Sequence, residues 1–311
     1  MLIAILGATS QIAKDLVRSF AAQSTHELVL YARRPEAVKQ WLSSVDLPER
    51  YPAHDFDGFK TNDHFDAILN FVGVGNPTLA AAMGAAIFDV TLQYDELALE
   101  YVRQHPSCRY IFLSSGAAYG SSFETPVDVN SKAMIAINEL SPQDWYGVAK
   151  LHAECRHRSL APLPIVDIRV FNYLSHTQDM EARFLITDTV RAIRDKTVLK
   201  TAADYLVRDF IGSEDFYQLV ESILNSPATN AVVDCYSQAP INKPVLLAAL
   251  QAQFGLQFEF ITYANGVNAT GSKPNYYSLN KRAEDFGYIP KFTSFICIEK
   301  VLEFITKNTE K

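Results

Sequence analysis

Short apolar runs alternate with amphipathic helical patterns through the first 172 residues, and this alternation constrains the fold more than any other feature. The helical patterns cover residues 12–23, 79–104 and 146–159. Strands that alternate with helices form βαβ units around a parallel sheet, and their crossovers are almost always right-handed. The sequence therefore predicts an α/β fold with a doubly wound parallel sheet. The apolar runs are LIAIL (2–6), ELVLYA (27–32), DAILNFVG (66–73), RYIFLSS (109–115) and PIVDIRVF (164–171).

The alternation weakens after about residue 172. Residues 230–237 (NAVVDCYS) predict one more strand of the main sheet, and residues 243–255 predict a helix that ends at a glycine. Residues 256–263 (LQFEFITY) alternate like an edge strand. We therefore expect the C-terminal third of the chain to form a smaller, substrate-binding lobe.

The charge and the cysteine content argue against several classes of protein. The 311 residues carry a net charge of -7 at pH 7, which argues against nucleic acid or an anionic membrane as the main partner. The four cysteines are far apart, so we expect neither structural zinc nor a disulfide framework. The longest apolar run, residues 79–88, is too short to span a bilayer. These features predict a cytoplasmic location.

The segment after the first apolar run, GATSQIA, has only one of the three glycines of a dinucleotide-binding turn. Gly7 can make the tight bend, while Ser10 and Ala13 stand where later glycines are expected. The Ser10 hydroxyl can cap the following helix or donate to a phosphate oxygen. Taken alone, the segment is equally compatible with a nucleotide loop and with an ordinary turn between a strand and a helix.

Two arginines follow the second apolar run, in the sequence LYARRP. Arg33 and Arg34 stand roughly 20 residues after the turn, where the adenosine ribose of a bound dinucleotide would lie. An acidic residue at this place favours NAD, whereas arginine pairs with the 2′-phosphate of NADP. Each arginine singly is equally compatible with a solvated side chain before a helix. The pair, after a glycine turn, favours NADP(H) over NAD(H) as the cofactor.

Tyr146 and Lys150 stand four residues apart, so on a helix they share one face. This pair suits reduction of a carbonyl, because a tyrosine can protonate the developing alkoxide if a nearby ammonium lowers its pKa. The lysine can also hold the nicotinamide ribose, and Ser115, at the end of a strand, can polarise the carbonyl. The spacing alone is a weak signal, and Tyr277 and Lys281 repeat it. Because Tyr146 follows the strand-end serines and opens a helix, we assign it as the catalytic tyrosine and expect Tyr277 in the lobe or at the surface.

Together these motifs resemble the extended short-chain dehydrogenases/reductases, in particular the NAD(P)-dependent nucleotide-sugar epimerases, dehydratases and reductases. GATSQIA resembles the glycine loop of that family, FLSSGAAYG the serine strand, YGVAK the tyrosine-lysine pair and VRDFIGSED the RDF signature. The resemblance covers nearly the whole chain and implies an oxidoreductase with Ser115, Tyr146 and Lys150 as catalytic residues. It also implies that Asn172 faces the substrate and that Arg208 meets the diphosphate of the substrate. The implied cofactor-binding residues are Gly7, Thr9, Ser10, Gln11, Ile12, Arg33, Arg34, Asp55, Phe56, Phe71, Val72, Gly73, Tyr146, Lys150 and Phe171.

The resemblance also implies a division of the chain. Residues 1–172 plus about 207–238 would form the NADP-binding Rossmann domain. Residues from about 173 to 206 and from 239 to 311 would form the smaller substrate-binding lobe. The expected partner is a nucleotide sugar or a related small carbonyl compound, with no nucleic acid and no membrane.

Two helical segments predict how the protein assembles. Relatives in the family commonly pair helices corresponding to segments 89–104 and 146–160 across a two-fold axis, so a homodimer is expected.

The seven histidines have no metal-binding spacing, and no metal site is predicted. His152 and His157 stand five apart on one predicted helix and point in different directions, and both are expected at the surface.

The reaction is the last choice that the resemblance leaves open. The dehydratases carry an Asp-Glu pair directly after the catalytic threonine, whereas Gly116 and Ala117 follow Ser115 here and cannot move protons. The epimerases favour a full glycine loop and an acidic residue after the second strand, which suits tightly held NAD. Arg33 and a glycine loop with two glycines replaced instead suit an NADPH that binds, donates a hydride and dissociates in each catalytic cycle. We therefore predict a reductase of a nucleotide-activated 4-keto (deoxy)sugar. The alternatives are a 4-epimerase and a non-catalytic NADP-sensing protein, although sensing relatives lack the tyrosine-lysine pair.

Overall fold

The computed structural model describes residues 1–47, 50–60, 63–74, 80, 82–182, 184–262 and 273–309. Its strands are β1 (Leu2–Leu6), β2 (Glu27–Tyr31), β3 (Ala53–His54), β4 (Ala67–Asn70), β5 (Arg109–Ser115), β6 (Ile165–Val170), β7 (Asn172–Tyr173), β8 (Val198–Thr201), β9 (Val207–Arg208), β10 (Phe210–Ile211), β11 (Ala231–Asp234), β12 (Ile241–Asn242), β13 (Gln257–Phe260) and β14 (Asn275–Tyr276). Its α-helices are α1 (Gln11–Gln23), α2 (Pro35–Ser44), α3 (Ala86–Gln104), α4 (Trp145–Ser159), α5 (Leu185–Arg194), α6 (Ser213–Asn225), α7 (Lys243–Phe254) and α8 (Ser294–Thr309).

The main sheet of the described chain contains seven parallel strands in the order β11-β6-β5-β4-β1-β2-β3. The chain runs outward from β1 through β2 to β3 and then returns to β4, on the other side of β1. At this reversal the carboxyl ends of β1 and β4 border a crevice, which is where doubly wound sheets bind their ligands. The predicted doubly wound α/β fold is therefore confirmed.

The side chains of β1 alternate between two apolar layers. Ile3 and Ile5 pack in one cluster with α1, α2 and α6, whereas Ala4 and Leu6 pack in another with α3. All four side chains are fully buried. Helices thus cover both faces of the sheet, which explains why its strands read as continuous apolar runs rather than as alternating ones.

The predicted boundaries of most helices agree with those in the structure. Three of them begin and end within one residue of the predicted positions, at α1, α4 and α7. The fourth, predicted over residues 79–104, is described as α3 from Ala86 to Gln104. Residue 79 and residue 81 of that prediction lie outside the described residues.

The chain after β7 adds a separate apolar cluster, built mainly by α5, α7 and α8. The predicted strand within residues 256–263 is confirmed as β13, which pairs with β8, although residue 263 lies outside the described part of the chain. A small sheet in the order β12-β9-β14 places Tyr276 directly beside Arg208. The division of the chain into a Rossmann domain and a lobe stays a prediction.

The prediction for His157 was wrong, although His152 is exposed as expected. The imidazole of His157 is fully buried between α4, α3 and β6. Its Nε2 lies 2.7 Å from Oδ1 of Asp95, and its Nδ1 lies 2.6 Å from Oδ1 of Asp167. Spacing along one helix could not reveal this, because both carboxylates come from other elements. A buried histidine is stable here because both ring nitrogens have a partner.

This histidine carries a positive charge in the folded protein. Burial alone would lower its pKa, but Asp167 and Asp95 overcome that effect and raise the pKa of His157 to about 9. Each carboxylate also meets an arginine, since Arg156 binds Asp95 and Arg158 binds Asp167, both at 2.8 Å. The cluster therefore joins α3, α4 and β6 through a buried network of charges.

Replacing His157 by asparagine should destabilise the fold in a pH-dependent way. The variant leaves two buried carboxylates without their shared cation, which should cost about 3–5 kcal/mol near neutral pH. Because the folded-state pKa of about 9 exceeds the ordinary value of 6.5, the stabilisation by charged His157 is complete below about pH 6.5 and is lost as the pH rises through 9. The difference in Tm between wild type and variant should therefore be largest at pH 6 and shrink by pH 10.

The matched control is His152→Asn, an exposed change in the same helix, which should leave Tm nearly unchanged at both pH values. A His157→Asn deficit of equal size at pH 6 and pH 10 would contradict the assignment of a charged histidine.

Candidate active site

The turn after β1 requires glycine at position 7. Gly7 adopts a φ of +80°, and a Cβ atom there would lie 2.8 Å from the backbone nitrogen of Val72. Ser10 follows as the N-cap residue of α1, but its side chain makes no capping hydrogen bond. The first N–H groups of α1 therefore point out of the helix without a side-chain cap, an arrangement that favours binding of a phosphate. Thr9 is exposed in this turn, and Gln11 and Ile12 begin the helix.

Asp15 in α1 fixes the segment Tyr173–Thr177 beside this turn, a contact that sequence reasoning missed. The buried carboxylate accepts hydrogen bonds from the hydroxyls of Tyr173 at 2.9 Å and Ser175 at 2.6 Å. Thr177 donates a third, and the Gln11 amide donates to Ser175 at 3.0 Å. The turn after β1 is thus tied to the chain that leaves β7.

The carboxyl ends of β2 and β3 present the residues that were predicted at the adenosine. Arg33 and Arg34 are exposed just after β2, and neither side chain has a hydrogen-bond or ion-pair partner among the described residues. Asp55 follows β3 and accepts a hydrogen bond from the backbone of Gly58 at 3.0 Å. Phe56 packs against Tyr94 with ring centroids 4.4 Å apart. The arginine side chains are free to meet an anion at this edge.

Residues 71–73 connect the turn to the lysine of the tyrosine-lysine pair. Phe71 is buried after β4, and the backbone of Val72 borders Gly7. At Gly73, a Cβ atom would lie 3.4 Å from Nζ of Lys150. The structure therefore brings the predicted cofactor residues of β1, β4 and α4 to one crevice.

Ser115 and Tyr146 meet at the carboxyl end of β5. The Ser115 hydroxyl accepts a hydrogen bond from the backbone N–H of Ala117 at 3.1 Å. Hydrogen bonding from Ser115 to the ionised form of Tyr146 lowers the pKa of Tyr146, but burial has the larger and opposite effect. The pKa of Tyr146 is therefore raised, and the lowering that the sequence argument expected from Lys150 is not found.

Lys150 is buried with its ammonium group held by the strand β5. Its Nζ donates to the carbonyl oxygen of Leu113 at 2.7 Å and lies 4.3 Å from the ring centroid of Phe112. The Tyr146 ring centroid is 6.0 Å away. Burial lowers the pKa of Lys150 to about 8, against the attraction of three carboxylates beneath it. At pH 7 the Lys150 side chain is therefore mostly protonated, and a rise of about one pH unit is enough for half of it to lose the proton.

Gly147 explains how Tyr146 reaches Ser115, and sequence reasoning missed its role. A Cβ atom at position 147 would lie 2.5 Å from the carbonyl oxygen of Ala117, so the first turn of α4 rests on the turn after β5. Glycine costs about 1 kcal/mol relative to alanine inside a helix. Its presence between Tyr146 and Lys150 was the available signal of close packing.

The second tyrosine-lysine pair has no such arrangement. Residues 277–281 are not helical, so the four-residue spacing does not place Tyr277 and Lys281 on one face. The Lys281 ammonium instead lies 3.5 Å from the ring centroid of Tyr236. Neither residue has a described contact with Ser115.

The neighbouring residue, Tyr276, does enter the site and was not predicted. Its hydroxyl lies 3.4 Å from Oγ of Ser115, and its ring centroid lies 5.1 Å from that of Phe171. Beside it, Arg208 donates to the carbonyl oxygens of Val207 at 2.8 Å and Lys273 at 2.7 Å.

Arg208 has no ion-pair partner in the described chain, and burial lowers its pKa. Burial and the nearby Arg208 also lower the pKa of Lys273. Two partly desolvated cations near the hydroxyls of Ser115 and Tyr276 favour an anionic group on a ligand. Asn172 lies at the same end of the sheet, where its side-chain amide donates to the carbonyl oxygen of Asp209 at 3.1 Å.

The described residues contain no group of three metal-ligating side chains that could hold an ion. The same part of the chain has no helix of sufficient length and apolar character to cross a bilayer. The four cysteines, Cys108, Cys155, Cys235 and Cys297, are free thiols.

Comparison with known proteins defines the class to which this fold and site belong. Residues 3–236 match the model of the NAD dependent epimerase/dehydratase family. The chain belongs to this family, and it is an NAD(P)-dependent enzyme of the extended short-chain dehydrogenase/reductase type, as the sequence motifs predicted. A comparison with curated proteins finds no match.

Solved structures share the fold along the whole chain. The UDP-glucuronic acid 4-epimerase of Bacillus cereus, in complex with UDP-glucuronic acid and NAD, superposes with a TM-score of 0.78 at 17% identity, over 99% of this chain and 100% of that one. The dTDP-glucose 4,6-dehydratase of Bacillus anthracis, in complex with NAD, gives 0.78 at 17% identity, over 100% and 98%. A UDP-glucose-4-epimerase of Stenotrophomonas maltophila, with NAD and formylated UDP-arabinopyranose, gives 0.79 at 15% identity, over 100% and 99%. At this identity the likeness shows the fold alone.

Replacing Gly147 by alanine should destabilise the protein, although the same change inside an ordinary helix stabilises it. The added methyl group must push α4 away from Ala117, which should cost about 1–3 kcal/mol. Thermal unfolding measures this as a fall in Tm. Cys155→Ala, an exposed change in the same helix, serves as the control and should leave Tm nearly unchanged. A rise in Tm for Gly147→Ala would show that the close contact does not exist.

Proposed function

We propose that the protein is an NADPH-dependent reductase of a nucleotide-activated 4-keto (deoxy)sugar. The observation that carries this proposal is the exposed pair Arg33 and Arg34 at the carboxyl end of β2, whose side chains have no partners in the described chain. Guanidinium groups at this edge suit the 2′-phosphate of NADPH. A reductase must exchange its cofactor in every cycle, and preference for NADPH is the expected property of an enzyme that works in the reductive direction.

The crevice offers residues for each part of the cofactor. The uncapped start of α1, with Gly7 and Ser10, suits the pyrophosphate. Asp55 and Phe56 suit the adenosine, and Lys150 suits the hydroxyls of the nicotinamide ribose. We assign the remaining contacts to Thr9, Gln11, Ile12, Phe71, Val72, Gly73 and Phe171.

The proposed chemistry assigns one role to each catalytic side chain. The bound cofactor supplies the hydride. Tyr146 donates its proton to the oxygen of the sugar ketone as negative charge develops there. Ser115 donates a hydrogen bond to the same oxygen, and Lys150, with a pKa of about 8, supplies the positive charge that stabilises the tyrosinate left behind. The raised pKa of Tyr146 keeps it protonated before the reaction, as a proton donor must be.

The substrate side of the proposal rests on Arg208 and Asn172. Arg208 is held by carbonyl groups and has no carboxylate partner in the described chain, so a diphosphate would supply the charge that it lacks. We propose that residues 173–206 and 239–311 form the lobe that holds the sugar nucleotide over the nicotinamide.

We also propose that the enzyme acts as a cytoplasmic homodimer, paired through α3 and α4. The free thiols suit a reducing compartment. The two helices are joined to each other by the ion pairs of Arg156 with Asp95 and Glu96, which fix their relative position. Light scattering at micromolar concentration should give the mass of two chains, and a monomer would contradict this assembly.

A 4-epimerase is the second candidate, because two of the similar structures are named as 4-epimerases and contain NAD. Dehydration is disfavoured, since Gly116 and Ala117 stand where acid and base would be needed. A purely NADP-sensing protein is disfavoured by the buried Lys150 next to Tyr146.

Two incubations separate the candidates. The first supplies a nucleotide-linked 4-keto-6-deoxysugar and NADPH, and it should consume one NADPH for each sugar reduced. The second supplies a UDP-hexose or UDP-hexuronate with NAD, and it should give no 4-epimer. Formation of the 4-epimer with no net change in cofactor would replace the reductase by the epimerase.

Arg33→Ala should abolish most of the preference for NADPH. A guanidinium on a phosphate contributes about ten- to a hundredfold in affinity, so the wild type should bind NADPH at least tenfold more tightly than NADH. Fluorescence titration of both nucleotides measures the two Kd values. Lys39→Ala, an exposed cation of α2 that already pairs with Glu36, is the control and should leave the ratio intact. Equal affinities in the wild type would sink the NADPH assignment.

Tyr146→Phe should cut kcat by about 10²- to 10⁴-fold, the usual contribution of a general acid, while NADPH still binds. The change removes one oxygen and little volume. Tyr277→Phe is the matched control and should alter kcat less than threefold, because this residue has no described contact with Ser115. If Tyr277→Phe abolishes turnover and Tyr146→Phe does not, the wrong tyrosine has been assigned.

A further inference from the structure

The hydroxyl group of Tyr276 is brought to the catalytic serine by the small sheet of the C-terminal third. Tyr276 lies in β14, which pairs with β9 so that Tyr276 stands opposite Arg208. Asn275 anchors the same strand, because its backbone N–H donates to Phe123 and its side chain donates to Glu124, at 3.0 and 2.7 Å. The strand therefore holds Tyr276 at a defined depth in the site.

Aromatic neighbours fix the ring of Tyr276 and leave its oxygen pointing at the serine. The ring centroid lies 4.8 Å from that of Phe123 and 5.1 Å from that of Phe171. The Lys273 ammonium lies 4.9 Å from the same centroid. The Tyr276 hydroxyl then lies 3.4 Å from Oγ of Ser115. Burial raises the pKa of Tyr276, so this hydroxyl remains protonated and can donate.

The hydrogen-bonding capacity of Ser115 decides the direction of this contact. A serine hydroxyl has one hydrogen and two lone pairs. The Ala117 N–H occupies one lone pair at 3.1 Å. Either oxygen of the contact between Ser115 and Tyr276 can be the donor. The proposed function requires the one hydrogen of Ser115 for the oxygen of the substrate, and Tyr276 must then be the donor that fills the second lone pair of Ser115.

We propose that Tyr276 is a positioning residue, which directs the hydroxyl hydrogen of Ser115 toward the reacting oxygen of the substrate. With both lone pairs filled by Ala117 and Tyr276, the one hydrogen of Ser115 stays available for the oxygen of a bound ketone or alcohol. The inference deepens the proposed function, on which the role of Ser115 rests, and it applies equally to reductase and epimerase chemistry. It also connects Arg208 to catalysis, because the strand pair β9 and β14 carries both the anion-binding arginine and the tyrosine.

A double-mutant cycle of Tyr276→Phe and Ser115→Ala tests this role. Tyr276→Phe keeps the aromatic packing and removes the donor, so kcat should fall about tenfold while KM and the Kd for NADPH stay within twofold. In the Ser115→Ala background the same change should have almost no effect, because Tyr276 acts through the serine. Equal tenfold losses in both backgrounds would overturn the proposal, and so would an unchanged kcat in the single variant. Tyr277→Phe is the control for the neighbouring hydroxyl.

A spectroscopic measurement tests the contact independently of turnover. Tyrosine labelled with ¹³C at Cζ gives one resonance for Tyr276, identified by its loss in Tyr276→Phe. Ser115→Ala should shift this resonance and its titration, whereas Ser159→Ala, a distant exposed serine, should not. If no nucleotide sugar is turned over, the proposed function fails, and the resonance still decides the inference. An unshifted Tyr276 resonance in Ser115→Ala overturns it even in an active reductase.

Discussion

The first turn of α4 rests on the carbonyl group of Ala117, and the geometry of the candidate active site depends on this contact. Only glycine at position 147 permits it, because a Cβ atom would lie 2.5 Å from the carbonyl oxygen. The contact sets the distance between α4 and the end of β5. As a result, Tyr146 meets Ser115 from one side and Lys150 reaches the carbonyl oxygen of Leu113 from the other. A larger separation would leave the same residues in the chain without the site.

The candidate site also depends on electrostatics, because the ammonium group of Lys150 carries its charge in the protein interior. Burial alone depresses its pKa, and the carboxylates of Asp95, Glu154 and Asp167 limit the fall to about 8. His157 shares two of these carboxylates, with a pKa raised to about 9. The polar network beneath the helix thus balances buried charges of both signs, which isolated buried charges could not do.

The sequence predicted the elements that local patterns encode and missed those that need contacts between distant segments. Apolar runs and helical spacing predicted the doubly wound sheet. The ends of those runs also predicted that Ser115 and Arg33 lie at its carboxyl edge, since parallel strands end at one edge. Nothing local marks Tyr276, which reaches Ser115 across 161 positions of the chain. The burial of His157 was missed for the same reason, because its carboxylates come from α3 and β6. Long-range pairs of this kind are visible only once the fold is assembled.

Transfer of deuterium from labelled cofactor to sugar tests the central claim most directly. NADPH carrying deuterium at C4 of the nicotinamide, in each of the two stereochemical positions, is incubated with a nucleotide-linked 4-keto sugar. The account predicts that one of the two labelled cofactors delivers a single deuterium to the former carbonyl carbon, with one NADP⁺ formed for each sugar. A product without deuterium from either cofactor, or an epimerised sugar formed while NADPH remains intact, would contradict the account.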